Sequence, residues 1–226
     1  MRRICILDTE TSGLDPKKDV VIEVGLIVFD LQHLAPIHVF SSLVFANGNE
    51  AEKHNGIPAA LLQDAPPAEL VWNQVAKAIK FSDVVVAHRV EFDYEFTPED
   101  VRSLRPWVCS KFDLEWPRQK AFGEHLLHLA LAHDVAVCNA HRALSDCDTL
   151  ARLFKRAAEL GTDLQAMLQK GMRPKKLYYS MAPFEQKDIV KEHGFAWNPE
   201  KHGKNWYRVM APEDVADLPF RVREIG

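Results

Sequence analysis

An apolar run leads into two acidic residues in the segment Cys5-Ile6-Leu7-Asp8-Thr9-Glu10-Thr11-Ser12-Gly13-Leu14. Its apolar first half is typical of a buried strand, and two acidic residues, Asp8 and Glu10, follow two positions apart. Residues i and i+2 of a strand point to the same face, so the two carboxylates converge on one point. Like charges placed together repel each other unless a cation lies between them. The segment therefore predicts a cation site at the end of a core strand, and an ordinary acidic strand end beside a turn is the alternative.

Two downstream segments place further acidic residues after short apolar elements. The first is Val84-Val85-Val86-Ala87-His88-Arg89-Val90-Glu91-Phe92-Asp93, a β-branched run followed by a polar turn and the start of a predicted helix. The second is His141-Arg142-Ala143-Leu144-Ser145-Asp146-Cys147-Asp148-Thr149-Leu150, at the start of a helical stretch. Each segment alone is a weak signal, whereas all three in this order form a specific pattern.

The three segments resemble the exonuclease motifs of the DnaQ-like, or DEDDh, 3'→5' exonucleases. That family carries Asp-x-Glu in its first motif, usually His-Asn-x-x-Phe-Asp in its second, and His-x-Ala-x-x-Asp in its third. The resemblance covers roughly the first 160 residues, a normal size for one domain. Transferred position by position, it implies a catalytic histidine and four catalytic, metal-binding acids: His141, Asp8, Glu10, Asp93 and Asp146.

The second motif departs from the family at Arg89, where Asn is usual. Arg is larger and cationic and suits phosphate contact, so Arg89 either holds the substrate backbone or points away from it. In the third motif a sister group has Tyr at the position of Arg142, so His141 places the chain in the histidine subgroup. A capping or surface histidine is the alternative for His141. Two stretches resemble the exonuclease X branch of the family, which degrades DNA. They are Trp107-Val108-Cys109-Ser110-Lys111 and the sequence of the third motif, residues 141–147.

By the same resemblance, the acids would hold two divalent ions. Carboxylate oxygens suit Mg²⁺ or Mn²⁺ better than Zn²⁺, and ions about 3.5–4 Å apart would stabilise the attacking and leaving oxygens. Asp8 would bridge both ions. Glu10 and Asp146 would complete the nucleophile-side ion, and Asp93 would support the second. His141, with an ordinary pKa of about 6.5, would take a proton from the attacking water, and a 5'-monophosphate nucleotide would leave.

Residues around the motifs are predicted to contact the substrate. The loop Lys53-His54-Asn55-Gly56-Ile57-Pro58 resembles a family loop that often reads His-Gly-Ile and helps to hold the terminal nucleotide, although Asn55 intervenes here. An ordinary loop before a helix started by Pro58 is the alternative. The predicted substrate-binding residues are Thr9, Thr11, Gly13, Leu14, His54, Ile57, His88, Arg89 and Phe92.

Asp148 and a set of three histidines are predicted to have no catalytic role. Asp148 lies two residues after Asp146, so on a helix it points elsewhere. His125, His128 and His133 could suggest a metal site, but a predicted helix over residues 123–133 needs a polar face, and histidine can supply it.

Alternation of strands and helices predicts an α/β fold. With the family resemblance, it implies a ribonuclease H-like fold, a mixed five-stranded sheet flanked by helices, with the acids at one sheet edge. The strand over residues 20–29 is nearly all apolar and is predicted to be central. The other predicted strands cover 3–7, 37–45, 84–87 and 107–110, and the predicted helices cover 68–81, 123–133 and 143–160.

The C-terminal part differs in composition. We predict an exonuclease domain over residues 1–160, a linker over 161–174 and a small α+β module over 175–226. Residues 172–210 hold eight Lys and Arg against four acidic residues, interleaved with aromatics. The aromatics either form the core of a very small domain or stack on single-stranded nucleic acid. Deleting residues 172–226 is expected to weaken substrate binding more than turnover.

Bulk properties narrow the class of protein. The 226 residues carry a net charge of −4, so nucleic-acid binding is expected to be local rather than spread over a basic surface. Four scattered cysteines without a Cys-x-x-Cys pattern favour a reduced, cytoplasmic protein. The N-terminus runs directly into a strand, which predicts no signal peptide. No apolar run approaches the roughly 20 residues of a membrane span, so no membrane partner is expected.

The favoured function is a metal-dependent 3'→5' exonuclease whose nucleic-acid partner is DNA rather than RNA. An exoribonuclease that trims RNA 3' ends is the first alternative, because the metal site is shared and sugar choice depends on few contacts. A polymerase-associated proofreading subunit is the second. A non-catalytic binding module is the third, although such a module has no need of all four acids and His141.

Overall fold

The computed structural model describes residues 1–138 and 142–226, and within them the N-terminal part is built on a five-stranded sheet. The strand order is β3-β2-β1-β4-β5. The pairs β1–β2 and β2–β3 are antiparallel, whereas β1–β4 and β4–β5 are parallel, so the sheet is mixed, as predicted. The strands are β1 (Arg3–Thr11), β2 (Val21–Asp30), β3 (Ala35–Leu43), β4 (Val84–Ala87) and β5 (Trp107–Cys109).

The strand β2 is buried along its whole length but is not the middle strand. The middle position belongs to β1, and β2 pairs with β1 on one side and β3 on the other, so the strand over residues 20–29 is an inner strand, as predicted. A strand next to the centre is equally apolar when helices cover both faces of the sheet, and that is the arrangement here.

Helices pack on both faces. They are α1 (Glu52–Asn55), α2 (Ala59–Leu62), α3 (Ala68–Phe81), α4 (Val90–Phe96), α5 (Glu99–Arg102), α6 (Leu126–Ala132), α7 (Ala143–Glu159) and α8 (Leu164–Gly171). The apolar stripe of α3, which includes Val71 and Val75, packs on Cys5 and Leu7 of β1. The long helix α7 packs on the opposite face, with Phe154 in the same core as Ile4 and Ile6.

The C-terminal part has a second antiparallel sheet of order β7-β8-β6-β9. Its elements are β6 (Lys176–Ser180), α9 (Lys187–Glu192), β7 (Ala196–Trp197), α10 (Pro199–His202), β8 (Trp206–Met210) and β9 (Val222–Ile225). Short 3-10 turns cover Phe184–Gln186 and Pro212–Asp217. A small core forms around Tyr178, Val190, Phe195 and Met210. No helix in the described part of the chain is long and apolar enough to cross a membrane.

Ionic and aromatic contacts join this module to the rest of the chain. Lys175 Nζ lies 2.8 Å from a carboxylate oxygen of Asp113, and the Arg208 guanidinium stacks 4.3 Å from the centre of the Phe122 ring. The helix α8 precedes the module within the predicted linker, and its Leu168 is buried in the main core. The linker segment is therefore packed against the N-terminal part.

Candidate active site

The acids of the first motif extend the face of β1 that packs against α7. Asp8 and Glu10 follow Ile4 and Ile6 at alternate positions, so all four side chains share that face. In the antiparallel register, Asp8 lies opposite Gly25 of β2 and Glu10 lies opposite Glu23. The two-residue spacing of the first motif thus places both carboxylates on the sheet face that the start of α7 covers.

A glycine on β2 allows α7 to approach the sheet closely. A Cβ atom on Gly25 would lie 2.3 Å from the backbone nitrogen of Leu144 and 2.4 Å from the carbonyl carbon of Ala143, distances that no real side chain adopts. This close approach brings Asp146 next to the β1 acids. Carboxylate oxygens of Asp8, Glu10 and Asp146 all lie within 4.8 Å of one another.

A buried carboxylate on β2 fixes the first turn of α7. Glu23 is 3% exposed and accepts hydrogen bonds from Arg142 Nε at 3.1 Å, Arg142 Nη2 at 2.7 Å and the Ala143 backbone N–H at 3.0 Å. The last of these satisfies a helix N-terminal N–H that has no partner inside the helix. Glu23 belongs to none of the three sequence motifs, and no local pattern reveals it because its partner is 119 residues away in the chain.

The acid of the second motif is held by the first motif. Asp93 is 2% exposed, and its Oδ1 accepts hydrogen bonds from the backbone N–H and the hydroxyl of Thr9, at 2.9 and 2.8 Å. Asp93 is not one of the three mutually close acids. It nevertheless contributes to raising the pKa of Asp8. Thr9 is 5% exposed and holds Asp93 through these two bonds, and its predicted contact with substrate stays a prediction.

Burial and mutual repulsion disfavour the ionised forms of the clustered acids. Burial, followed by the charges of Asp93 and Asp146, raises the pKa of Asp8 well above its usual range. Burial and the charge of Asp146 raise the pKa of Glu10 to about 7. Burial also raises the pKa of Asp93 to about 7, against the opposing effect of the Thr9 hydrogen bonds. Ionised oxygens gathered in this way fit a hard divalent cation, which would offset the repulsion.

Three further polar residues of the sequence analysis are His141, Asp148 and His133. His141, the predicted base, lies outside the described residues, so its role stays a prediction. Asp148 forms an ion pair with Arg152 at 2.7 Å and is not among the clustered acids, as predicted. His133 is buried and contacts the Leu129 carbonyl oxygen through Nδ1 at 2.7 Å, which is a structural role.

The loop over residues 53–58, which is predicted to hold the terminal nucleotide, is hydrogen-bonded to the end of β1. Asn55 is buried, donates to the Thr11 carbonyl oxygen at 3.2 Å and accepts from the Ile57 backbone N–H at 3.1 Å. Asn55 therefore anchors the loop rather than interrupting it. Ile57 itself is buried in a small core with Leu62, whereas His54 is exposed.

Other predicted substrate residues lie around the acids with different exposures. Leu14 is 83% exposed, just beyond β1, while the Thr11 hydroxyl donates to the Gly13 carbonyl oxygen at 2.6 Å. Phe92 packs against Phe96 with ring centres 4.9 Å apart. His88 and Arg89 follow β4, and Arg89 is exposed. Leu14 and Arg89 are therefore open to a ligand, whereas Thr11 is buried.

Comparisons of the sequence with known proteins find exonucleases, in agreement with the arrangement of the acids. The exonuclease family, whose model bears the name RNase T, matches residues 5–154, and a domain of unknown function matches residues 176–225. The DNA polymerase III subunit epsilon of Treponema pallidum (strain Nichols) is 31% identical over 158 residues, which are 65% of this chain and 72% of that protein. A 3'-5' exonuclease DinG of Staphylococcus aureus (strain bovine RF122 / ET3-1) is 28% identical over 173 residues, 70% of this chain but 18% of that protein.

A PolC-type DNA polymerase III of Thermotoga petrophila is 29% identical over 168 residues, and the match spans only 12% of that protein. Among solved structures, zinc-bound E. coli exonuclease I with single-stranded DNA has a TM-score of 0.64 at 13% identity, covering 98% of this chain and 68% of the other. The nuclease domain of 3'hExo, a DEDDh family member, bound to rAMP, has a TM-score of 0.53 at 17% identity, covering 71% of this chain and 93% of the other. The chain belongs to the DnaQ-like 3'-5' exonuclease family.

Proposed function

We propose that this protein is a divalent-metal-dependent exodeoxyribonuclease that removes 5'-monophosphate nucleotides from the 3' end of DNA. The observation that carries the proposal is the group of three carboxylates within 4.8 Å, built from two motifs of an exonuclease family and supported by Asp93. Relatives named as parts of DNA polymerase III support DNA as the substrate.

The acids and the histidine have different tasks in this proposal. Mg²⁺ or Mn²⁺ bound at the cluster would supply Lewis-acid stabilisation of the charge that develops on the phosphate. Asp8, Glu10 and Asp146 would hold the ions, with Asp93 supporting them from its bonds to Thr9. His141 would accept a proton from the attacking water, because its ordinary pKa lies near neutral pH. Residues 1–160 would form the catalytic domain, 161–174 the linker and 175–226 an accessory module.

The test is the degradation of a 5'-labelled single-stranded DNA oligomer with Mg²⁺ or Mn²⁺, beside an RNA of the same sequence. The proposal expects a ladder that shortens from the 3' end, faster on DNA. Asp8→Asn should lower the rate at least ~100-fold, since it removes a metal ligand. Asp148→Asn, on the same helix as Asp146 but outside the cluster, should keep the wild-type rate. Faster degradation of RNA would assign the protein to the exoribonucleases.

A second candidate is a proofreading subunit. The subunit epsilon relative favours it, because the match covers 72% of that protein. This role needs a polymerase partner, so it predicts co-purification with a polymerase and a higher exonuclease rate in the complex. Full activity of the isolated chain on DNA, with no polymerase recovered, would favour the independent exonuclease.

A further inference from the structure

A group of basic side chains lies at the same edge of the sheet as the acids. Because β4 and β5 run parallel to β1, their carboxyl ends meet the acidic end of β1 at one edge. His88 and Arg89 directly follow β4, and Ser110 and Lys111 directly follow β5. His88 Nδ1 lies 2.9 Å from Ser110 Oγ, which joins the two strand ends.

The segment before α6 adds a third basic residue. Nε2 of His88 is buried, lies near the Glu124 backbone and makes no hydrogen bond of normal geometry. His125 follows Glu124 and is exposed, with its ring 5.8 Å from that of His128. The positive charge of Lys111 lowers the pKa of His125, and Arg89 adds to the effect. Arg89, Lys111 and His125 therefore lie within electrostatic range of one another.

The cluster carries positive charge that the protein itself does not neutralise. Within residues 1–138 and 142–226, neither Arg89 nor Lys111 forms an ion pair with a carboxylate. Glu91 is the carboxylate close enough to influence Lys111. Burial and the charge of Arg89 lower the pKa of Lys111, so the ammonium lies where its charge is unfavourable. An anion bound at the cluster would relieve this repulsion.

The backbone at Arg89 is also strained. Arg89 has φ 77 and ψ 57, the left-handed conformation that residues other than glycine rarely adopt. Strain of this kind persists where surrounding contacts hold it, and it is common at ligand sites. Here it directs the chain out of β4 and into α4, the helix that carries Asp93.

We propose that Arg89, Lys111 and His125 bind the internucleotide phosphates next to the one that is cleaved. The inference rests on the proposed function, because a nucleic-acid strand supplies these phosphates. One strand spacing, about 5 Å, separates β1 from β4, which precedes Arg89, and two spacings, about 10 Å, separate β1 from β5, which precedes Lys111, so the cluster extends away from the acids toward the neighbouring phosphates. Arg89, which replaces the usual Asn, presents a planar fork that matches a phosphate, and Lys111 adds a point charge.

The first test measures binding without cleavage. Affinity for a labelled single-stranded oligothymidylate is determined over a range of KCl with Ca²⁺ in place of the catalytic metal. Each lost phosphate contact should reduce the slope of log K against log salt by about 0.7 for a single strand. We expect this reduction for Arg89→Gln and Lys111→Gln, and a preserved slope for Arg89→Lys. Arg118→Gln, at a cation already paired with Asp134, is the matched control.

The second test separates binding of the strand from chemistry at the metals. The p-nitrophenyl ester of thymidine 5'-monophosphate has one phosphate, so the variants should lose far less activity on it than on the oligomer. Unchanged salt slopes would overturn the proposal, as would equal losses on both substrates. A wild-type protein that cleaves neither substrate would contradict the proposed function, while the salt slopes would still test the cluster.

Discussion

Arg142 binds Glu23 through two guanidinium nitrogens, and this contact fixes the start of α7 against the strand that faces Glu10. The Glu23 side chain is 3% exposed and that of Arg142 is 47% exposed, so the pair lies at the boundary between core and solvent. Because Arg142 follows His141 in the chain and Asp146 lies one turn further along, the contact sets the position of the third motif. Glu23 is thus a positioning residue for the proposed metal ligands.

Replacing Glu23 by Gln should loosen the third motif without removing an acid of the cluster. Hydrogen bonds to a charged group are worth more than neutral ones, and partial exposure of Arg142 reduces the effect, so we expect a loss of about 1–2 kcal/mol in the free energy of unfolding. The Mn²⁺ concentration needed for half-maximal activity should rise. Urea denaturation and metal titration of activity would measure both effects. Glu159→Gln, which breaks an exposed ion pair with Arg156 on the same helix, should change neither; equal behaviour of the two variants would contradict the positioning role.

Local sequence explains some of these features and not others. The two-residue spacing of Asp8 and Glu10 predicts a shared face because strand geometry is local. The apolar stripe of α3 likewise predicts its bounds, residues 68–81, as observed. The contact between Glu23 and Arg142 depends on chain segments that meet only in the fold, so no periodicity reveals it. Asn55 was interpreted as a departure from a family loop, because its bond to the Thr11 carbonyl exists only when the loop closes on β1.

A side chain at Gly25 should separate the acids. The Gly25→Ala methyl group would overlap the backbone of Ala143 and Leu144, so α7 must move away from β2. Overpacking of this kind costs about 1–3 kcal/mol of stability. Because Asp146 moves with α7, activity should fall further than the loss of stability explains, and more Mn²⁺ should be needed. Gly48→Ala is the control, since nothing lies within 4 Å of a Cβ there. Wild-type metal dependence in a folded Gly25→Ala protein would refute this account.

Metal-free protein should become less stable as the pH rises. The pKa values of Glu10 and Asp93 are raised to about 7 in the fold, so the folded state binds protons more tightly than the unfolded chain. Their favourable contribution is complete below the unfolded pKa near 4 and is lost as the pH approaches and passes 7. With EDTA, Tm should therefore fall between pH 5 and pH 8.

Adding Mg²⁺ or Mn²⁺ should raise Tm more at pH 8 than at pH 5, because ions and protons compete for the same oxygens. Differential scanning fluorimetry at the two pH values would measure both trends. Asp8→Asn should weaken the pH dependence, since it removes one of the repelling charges. A Tm that rises with pH in EDTA, or that ignores the ions at pH 8, would be inconsistent with a metal site at these acids.

The aromatic side chains of the C-terminal sheet are of two kinds: some are buried in its core, and others lie on its opposite face. Tyr178 and Phe195 are buried in its core, at 4% and 3% exposure, which supports the structural interpretation for them. The register places Tyr179 beside Tyr207 on one side and Arg223 on the other, so these three side chains share the opposite face of the sheet. The Arg223 guanidinium lies 5.9 Å from the centre of the Tyr179 ring.

His202 of α10 stacks on one face of the Tyr207 ring, with ring centres 3.8 Å apart, and its Nδ1 lies 3.2 Å from the Tyr179 hydroxyl. We expect nucleic acid to stack on the ring faces of Tyr179 and Tyr207 that His202 leaves uncovered, with Arg223 near a phosphate. The double variant Tyr179→Ala and Tyr207→Ala should weaken binding of single-stranded DNA at least ~10-fold, since stacking of one base is worth about 1–3 kcal/mol. The turnover number at saturating DNA should change little, because the acids lie in the other sheet. Fluorescence anisotropy and steady-state kinetics would separate the two quantities. Phe184→Ala is the control, because Phe184 is 69% exposed but does not share the face of Tyr179, Tyr207 and Arg223. If the double variant folds and binds DNA as the wild type does, the aromatics of this module serve its own core and not the substrate.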